Sequence, residues 1–186
     1  MEEYMIVIWF VIIILAAVIE MNTMDLSSIW FSAGALFAFI FSGITIGSLS
    51  FLSLNTQYGL FVVGSFGATM VLVFGYPESP FSQPKNIFFG HFSTSLVGIL
   101  ILQFLPIDQY LQIAIAVGLA IFVMILLGVT HPPAGGNPIL IILGTSSYPF
   151  LLNPIIFGSV IIIIYAVILN RVILKKNYPN SWKSSI

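Results

Sequence analysis

Apolar runs long enough to cross a lipid bilayer dominate this chain and leave room for few other plans. Residues 5–19 are unbroken apolar sequence, and residues 29–54, 87–105, 111–128 and 154–174 are further runs of helical length. About 20 residues at 1.5 Å each span a hydrocarbon core of ~30 Å. Only 6% of the 186 residues are charged, against about 25% in soluble domains, so no water-facing surface can be assembled. A β-barrel would show short alternating segments instead. The expected fold class is therefore all-α, a polytopic helical membrane bundle.

Several function classes fall away at once. There is no cysteine, hence no disulfide framework, thiolate metal site or thiol nucleophile. A net charge of −1 gives no reason to expect a nucleic-acid partner. We expect no enzyme activity, no cofactor and no resident metal. The first apolar run follows Glu2 and Glu3 with no Lys or Arg before it, whereas secretory leaders begin with a basic stretch. Residues 4–20 are thus read as a first transmembrane helix, leaving at Glu20, Asn22 and Asp25.

The rest of the chain reads as two related halves, repeat A (29–105) and repeat B (109–174), with a tail over 175–186. Gly67-Ala68-Thr69-Met70-Val71-Leu72-Val73-Phe74-Gly75 lines up with Gly136-Asn137-Pro138-Ile139-Leu140-Ile141-Ile142-Leu143-Gly144. Pro80-Phe81 then falls on Pro149-Phe150, and Ile87-Phe88-Phe89-Gly90 on Ile155-Ile156-Phe157-Gly158. Each half reads as helix, glycine-broken segment, Pro-rich link, helix, and internal repeats of this kind recur in secondary transporters.

The broken segments are the informative part. Pro132 and Pro133 bias the residues before them away from helix. Residues 129–133, extended at ~3.3 Å each, cover about 16 Å, and 134–145 as helix add roughly 18 Å. Residues 60–64 extended and 65–76 helical do the same in repeat A. Counted as crossings these segments give seven spans, and counted as re-entrant hairpins five. Both counts put the termini on opposite faces, and three crossings per repeat make the repeats inverted. Arg171, Lys175, Lys176 and Lys183 gather near the C-terminus, so the positive-inside rule puts that end in the cytoplasm and the N-terminus outside, across the cell (inner) membrane.

Half-helices that begin near the midplane present unpaired amides and a partial positive charge. Two of them facing one cavity suit a small anion. The lining residues would be Ser65, Gly67, Ala68 and Thr69 on one side, and His131, Pro133, Ala134, Gly135, Gly136 and Asn137 on the other. No Asp or Glu lies mid-span in any expected helix, so no carboxylate is evident for a cation. Ionisable residues inside a membrane are costly and usually functional, which singles out His91 and His131 for gating or proton carrying. The same histidines also fit plain structural roles, His131 bonding the Pro-Pro turn and His91 the start of its helix. Lys85 reads as a snorkelling interfacial cation, or alternatively as a partner for Glu78 or an attractor of anions.

These residues resemble a known family. Gly64-Ser65-Phe66-Gly67-Ala68-Thr69, Ser79-Pro80 with Gln83-Pro84-Lys85-Asn86, Gly90-His91, and His131-Pro132-Pro133-Ala134-Gly135 are similar, in order, to motifs of the HPP family of small integral membrane proteins. The resemblance runs from about residue 29 to 174. It implies a role in moving nitrite, as attributed to cyanobacterial and chloroplast members. The family often carries Arg where this chain has Lys85, and Lys gives no bidentate contact with a planar anion. The leading expectation is a transporter or channel for a small monovalent anion, in the lipid bilayer and open to homo-oligomerisation through the small residues of 29–54. A non-transporting scaffold and a haem-binding membrane protein are the alternatives.

Overall fold

Helices account for every regular element among the described residues of the computed structural model, which are 26–56 and 61–180. The expected helix over 4–20 lies outside them. The chain divides into two units, Met1–Phe37 and Ala38–Ile186; of the first, the structure describes only the opening of helix α1 (Leu26–Asn55). The second unit contains the rest of α1, then α2 (Gly64–Gly75), α3 (Pro84–Phe104), α4 (Gln109–Leu126), α5 (Asn137–Leu143) and α6 (Leu151–Ile173). Gly34–Asn55 within α1, together with α3, α4 and α6, is long and apolar enough to cross a membrane, and α2 is a shorter apolar helix.

Burial follows the logic of a bilayer. Along α4 the buried positions Gln112, Ala116, Ala120 and Met124 recur every four residues, one narrow stripe of mostly small side chains. Ile115, Leu119, Phe122 and Ile125 on the other faces are exposed. Large apolar groups outward and small ones inward is the arrangement for helices that meet each other closely within lipid. Helix α3 is the most enclosed span, with half of its apolar window buried, and it packs against α4, α5 and α6. A second apolar core joins Leu49 of α1, Phe66, Met70, Val73 and Phe74 of α2, and Ile155, Ile162, Ala166 and Leu169 of α6.

Both broken segments have the expected extended lead-in. Val63 (φ −131°, ψ 154°) precedes α2 and His131 (φ −136°, ψ 96°) precedes a 3₁₀ turn over Pro132–Gly136 that runs into α5. The extended stretch of repeat B therefore ends at His131 rather than Pro133. Proline suits the first turn of a helix because its missing N–H has no partner there and its φ is already set. The last helix likewise opens later than Leu151, since Asn153 (φ −135°, ψ 118°) breaks it just before Pro154.

The segment from Val129 to Leu143 runs beside α3 along most of its length. Asn86 Nδ2 donates to the Thr130 carbonyl (2.8 Å) near the start of α3. A Cβ on Gly90 would stand 2.7 Å from His131 Cβ, and one on Gly98 2.9 Å from Pro138 Cα. Beyond the end of α3, Gln109 Nε2 donates to the Ile142 carbonyl (3.3 Å). The repeat A segment runs alongside α6 in the same direction as that helix. A Cβ on Gly158 would collide with the Phe66 ring and stand 2.8 Å from the Phe61 carbonyl, while Asn170 Nδ2, near the far end of α6, reaches the Val73 carbonyl at 3.1 Å.

After α6 the chain straps back over the link between α2 and α3. The Tyr178 hydroxyl donates to the Ser82 carbonyl (2.8 Å), and Asn180 bonds both Gln83 Oε1 (2.9 Å) and the Glu78 carbonyl (3.0 Å). Glu78 pairs with Lys176 at 3.5 Å, not with Lys85. Both partners are well exposed, so this ion pair adds little stability.

Two predictions follow from this packing. Gly158→Ala and Gly90→Ala insert a methyl group against backbone, where overpacking costs about 1–3 kcal/mol. Each should lower the detergent melting temperature clearly, while Gly118→Ala, open on α4, should not. Burial raises the Tyr178 phenol above its ordinary value of 10.0. An acid whose folded value is raised contributes stability that is complete below the unfolded value and lost as pH rises through the folded one. Tyrosinate absorbance should show a last-ionising phenol in strongly alkaline solution, absent from Tyr178→Phe.

Candidate functional site

Where the two broken segments meet α3, the polar side chains of the membrane interior gather into one buried cluster. Thr69 sits one turn after Ser65 on α2, so both face inward with Phe66 and Met70. His91 follows Gly90 on α3, and the missing side chain at Gly90 lets the His131 backbone come close. His131 is the last extended residue before Pro132, and Asn137 opens α5. Thr69, His91, His131 and Asn137 are each 0–1% exposed.

One hydroxyl joins the two imidazoles. Thr69 Oγ1 lies 2.9 Å from His91 Nε2 and 3.0 Å from His131 Nε2. His131 Nδ1 is 2.7 Å from the Phe81 carbonyl, and Asn137 Nδ2 is 3.1 Å from His91 Nδ1. The rings meet edge to face, centroids 4.9 Å apart, and the Phe66 ring stands edge-on to His91 at 5.0 Å. The Asn137 amide also reaches the His91 carbonyl (3.2 Å), Thr94 Oγ1 (3.3 Å) and Ser95 Oγ (2.9 Å).

These contacts dictate the tautomers once both rings are uncharged. A carbonyl only accepts, so His131 carries its hydrogen on Nδ1 and offers a lone pair at Nε2. The Thr69 hydroxyl donates there and accepts from His91 Nε2–H. His91 Nδ1 then accepts from Asn137. The result is one directed chain, amide to imidazole to hydroxyl to imidazole to carbonyl, in which every ring nitrogen has a partner. Two imidazolium ions at this spacing, out of water and with no carboxylate in the spans, would carry a desolvation cost that nothing repays.

The structure brings together Ser65, Thr69, His91, His131 and Asn137 from the residues singled out in the sequence. Ala134 is buried beside them, and Pro133, Gly135 and Gly136 are half-buried, with open space where a Cβ would stand on either glycine. Gly67 and Ala68 fall on the exposed face of α2, turned from the cluster by helical geometry. Lys85, half-buried at the start of α3, lies six residues before His91, about 9 Å along the axis. Sequence reasoning missed Thr94, Ser95 and the Phe81 carbonyl. The run Ser93-Thr94-Ser95, polar inside an apolar helix and one turn past His91, was the available signal; a backbone carbonyl leaves none. Two buried atoms at the edge of the cluster, Ser65 Oγ and Asn137 Oδ1, have no hydrogen-bond partner. Among the described residues no group of three or more His, Cys, Asp or Glu is placed to hold a metal ion.

Comparison with known proteins finds transmembrane relatives. A Dictyostelium discoideum transmembrane protein is 33% identical over 128 residues, covering 65% of this chain and 45% of its own. A second from the same organism, also named a transmembrane protein, is 32% identical over 130 residues, covering 66% and 42%. The chain thus spans less than half the length of these curated relatives. No solved structure matches it. The model of the HPP transmembrane region matches residues 31–179, a stretch that contains every member of the cluster, and the chain belongs to the HPP family of multi-pass membrane proteins.

Proposed function

We propose that this chain moves a small monovalent anion, nitrite first among candidates, across the membrane by alternating access between two inverted repeats. The observation that carries the reading is the His91–Thr69–His131 bridge, two ionisable side chains held within the lipid-spanning region by neutral partners where two broken helices converge. Nothing in apolar packing requires such a group, and intramembrane ionisable residues generally mark a solute or proton path.

The chain directions support the inversion. Taking the face of the link (Pro77–Gln83) as one side, α3 leaves it and α4 returns toward it. The Val129–Leu143 segment runs beside α3 in the same direction, toward Gln109 on the other side. Helix α6 then returns, and its tail rejoins the link. In repeat A, Phe61 N bonds Ser53 Oγ at 2.8 Å near the end of α1, and α2 descends to the link. Corresponding elements of the two repeats therefore cross in opposite senses, six crossings among the described residues. The glycine contacts have the reciprocity that a two-fold relation produces: Gly90 of repeat A meets the lead-in of repeat B, and Gly158 of repeat B meets the lead-in of repeat A. Lys85, Arg171, Lys175 and Lys176 lie toward the link face and Asp108 toward the other, which favours a cytoplasmic link and C-terminus.

An anion fits the chemistry better than a cation. Amides in the first turn of a helix lack intrahelical partners, and Gly135 and Gly136 leave backbone approachable. Counterflow in proteoliposomes with nitrite, nitrate, formate, chloride and bicarbonate is the test. Nitrite should move well above protein-free vesicles, and His131→Ala and His91→Ala should each lower the rate roughly tenfold, since a stranded buried partner costs about 1–3 kcal/mol. Movement of none of the five would end this reading.

A further inference from the structure

We infer that the Thr69 hydroxyl is a two-position switch that lets the histidine pair hold one added proton and no more, so that a monovalent anion travels with a single proton as uncharged cargo. The inference rests on the transport reading for its cargo, while the proton site stands on geometry alone.

In the uncharged cluster the Thr69 O–H points at His131 Nε2, 3.0 Å away. A second acceptor is within its reach, the Ser65 carbonyl one turn back at 3.1 Å. When a proton from the aqueous phase bonds to His131 Nε2, the hydroxyl rotates to that carbonyl. Its oxygen then accepts from both His91 Nε2–H and His131 Nε2–H, while His131 Nδ1–H stays on the Phe81 carbonyl. Neither ring nor the Thr69 hydroxyl loses a partner in either state, so adding the proton costs the bridge no hydrogen bond.

A second proton has no such place. The nitrogen left is His91 Nδ1, which faces the donating amide of Asn137 at 3.1 Å. Turning that amide over would set its oxygen 3.2 Å from the His91 carbonyl, acceptor against acceptor. It would also give up the bond to Thr94 Oγ1, and two cations with centroids 4.9 Å apart would repel with little screening. Among the described residues of the elements packed around the cluster, no other charged group offsets them. Helix α2, the Pro132–Gly136 turn and α5 carry no titratable side chain, and Tyr110 of α4 and Tyr165 of α6 are phenols. On α3 only Lys85 is charged, and Arg171 lies at the end of α6. The single positive charge that is gained matches one monovalent anion, and the pair crosses the low-dielectric interior without net charge.

Nitrogen-15 NMR of histidine-labelled full-length protein in nanodiscs reads the site directly. At neutral pH His131 should show the Nδ1–H tautomer and His91 the Nε2–H tautomer. On acidification His131 alone should gain a proton. At the pH where the wild-type His131 ring is half protonated, Thr69→Val should lower its protonated-to-neutral ratio about tenfold. A hydrogen bond to a charged donor is worth more than one to a neutral partner, by about the 1.4 kcal/mol that equals tenfold. Thr69→Ser, which keeps the hydroxyl, should restore the wild-type ratio. Joint protonation of both rings, His91 titrating first, or an unchanged ratio in Thr69→Val would each overturn the switch. In proteoliposomes one proton should enter with each nitrite, independent of membrane potential. Nitrite entering with net charge would overturn the coupling and leave transport intact; a singly titrating His131 with immobile nitrite would uphold the switch and sink the transport reading.

Discussion

Backbone that leaves helical conformation inside lipid must find hydrogen-bond partners within the protein, because the hydrocarbon offers none. The rest of this structure can be read from that requirement. Two segments break, at Val63 and at His131, and both breaks are enclosed by other helices. The Thr130 carbonyl at the second break is taken by Asn86, and His131, the last extended residue there, is itself held by the Phe81 carbonyl of the link. A chain that needs polar groups at this depth has an economical reason to use ones that also exchange protons.

Glycine placement makes the enclosure possible. Gly90, Gly98 and Gly158 are contact points where a Cβ would press on the partner backbone or on atoms next to it. Gly90 and Gly158, which the sequence alignment of the halves pairs, each lie against a main-chain carbonyl of a lead-in, Val129 and Phe61. Close approach at these points holds the breaks against a neighbouring helix and brings His131 up to Gly90. The same closeness means a change in tilt of one half has to be felt at the lead-in of the other, since packed contacts have few intermediate arrangements.

Much of the fold was legible because membrane physics writes it in composition. Runs of apolar residues marked α3, α4 and α6 to within a few positions, and Gly64 and Pro132-Pro133 marked the breaks. The site was legible by residue type but not by facing. Thr69 and Gly67 are two positions apart, and only helical phase puts one in the cluster and the other outside. That phase is hard to read where both faces of a helix are apolar and no polar stripe marks the outside. The Phe81 carbonyl was out of reach, since main-chain acceptors are alike in every residue. Asn137 was named for its place at a half-helix start, whereas its side chain is turned onto His91.

The proposed preference for a negative solute rests on which polar groups remain once the cluster's own bonds are made. A cation bound by this region would need several oxygen ligands, as hard cations do. Three nearby carbonyls are already engaged: Gly90 by Thr94, Phe81 by His131, and Thr130 by Asn86. Beyond one free acceptor, Asn137 Oδ1, the surplus consists of hydrogen-bond donors. They come from the first turns that follow each break and from the unpartnered Ser65 hydroxyl. Pro132 and Pro133 remove two amides from the second half-helix, which shifts the weight there to Gly135 and Gly136, where the backbone is open. A protonated His131 adds full positive charge to that surplus, and its charge disappears when the proton leaves. On the transport reading proposed above, the affinity of the region for an anion is tied to a group that can be charged on one side of the membrane and discharged on the other. A fixed Lys or Arg in the same place would hold the anion without a means of letting it go.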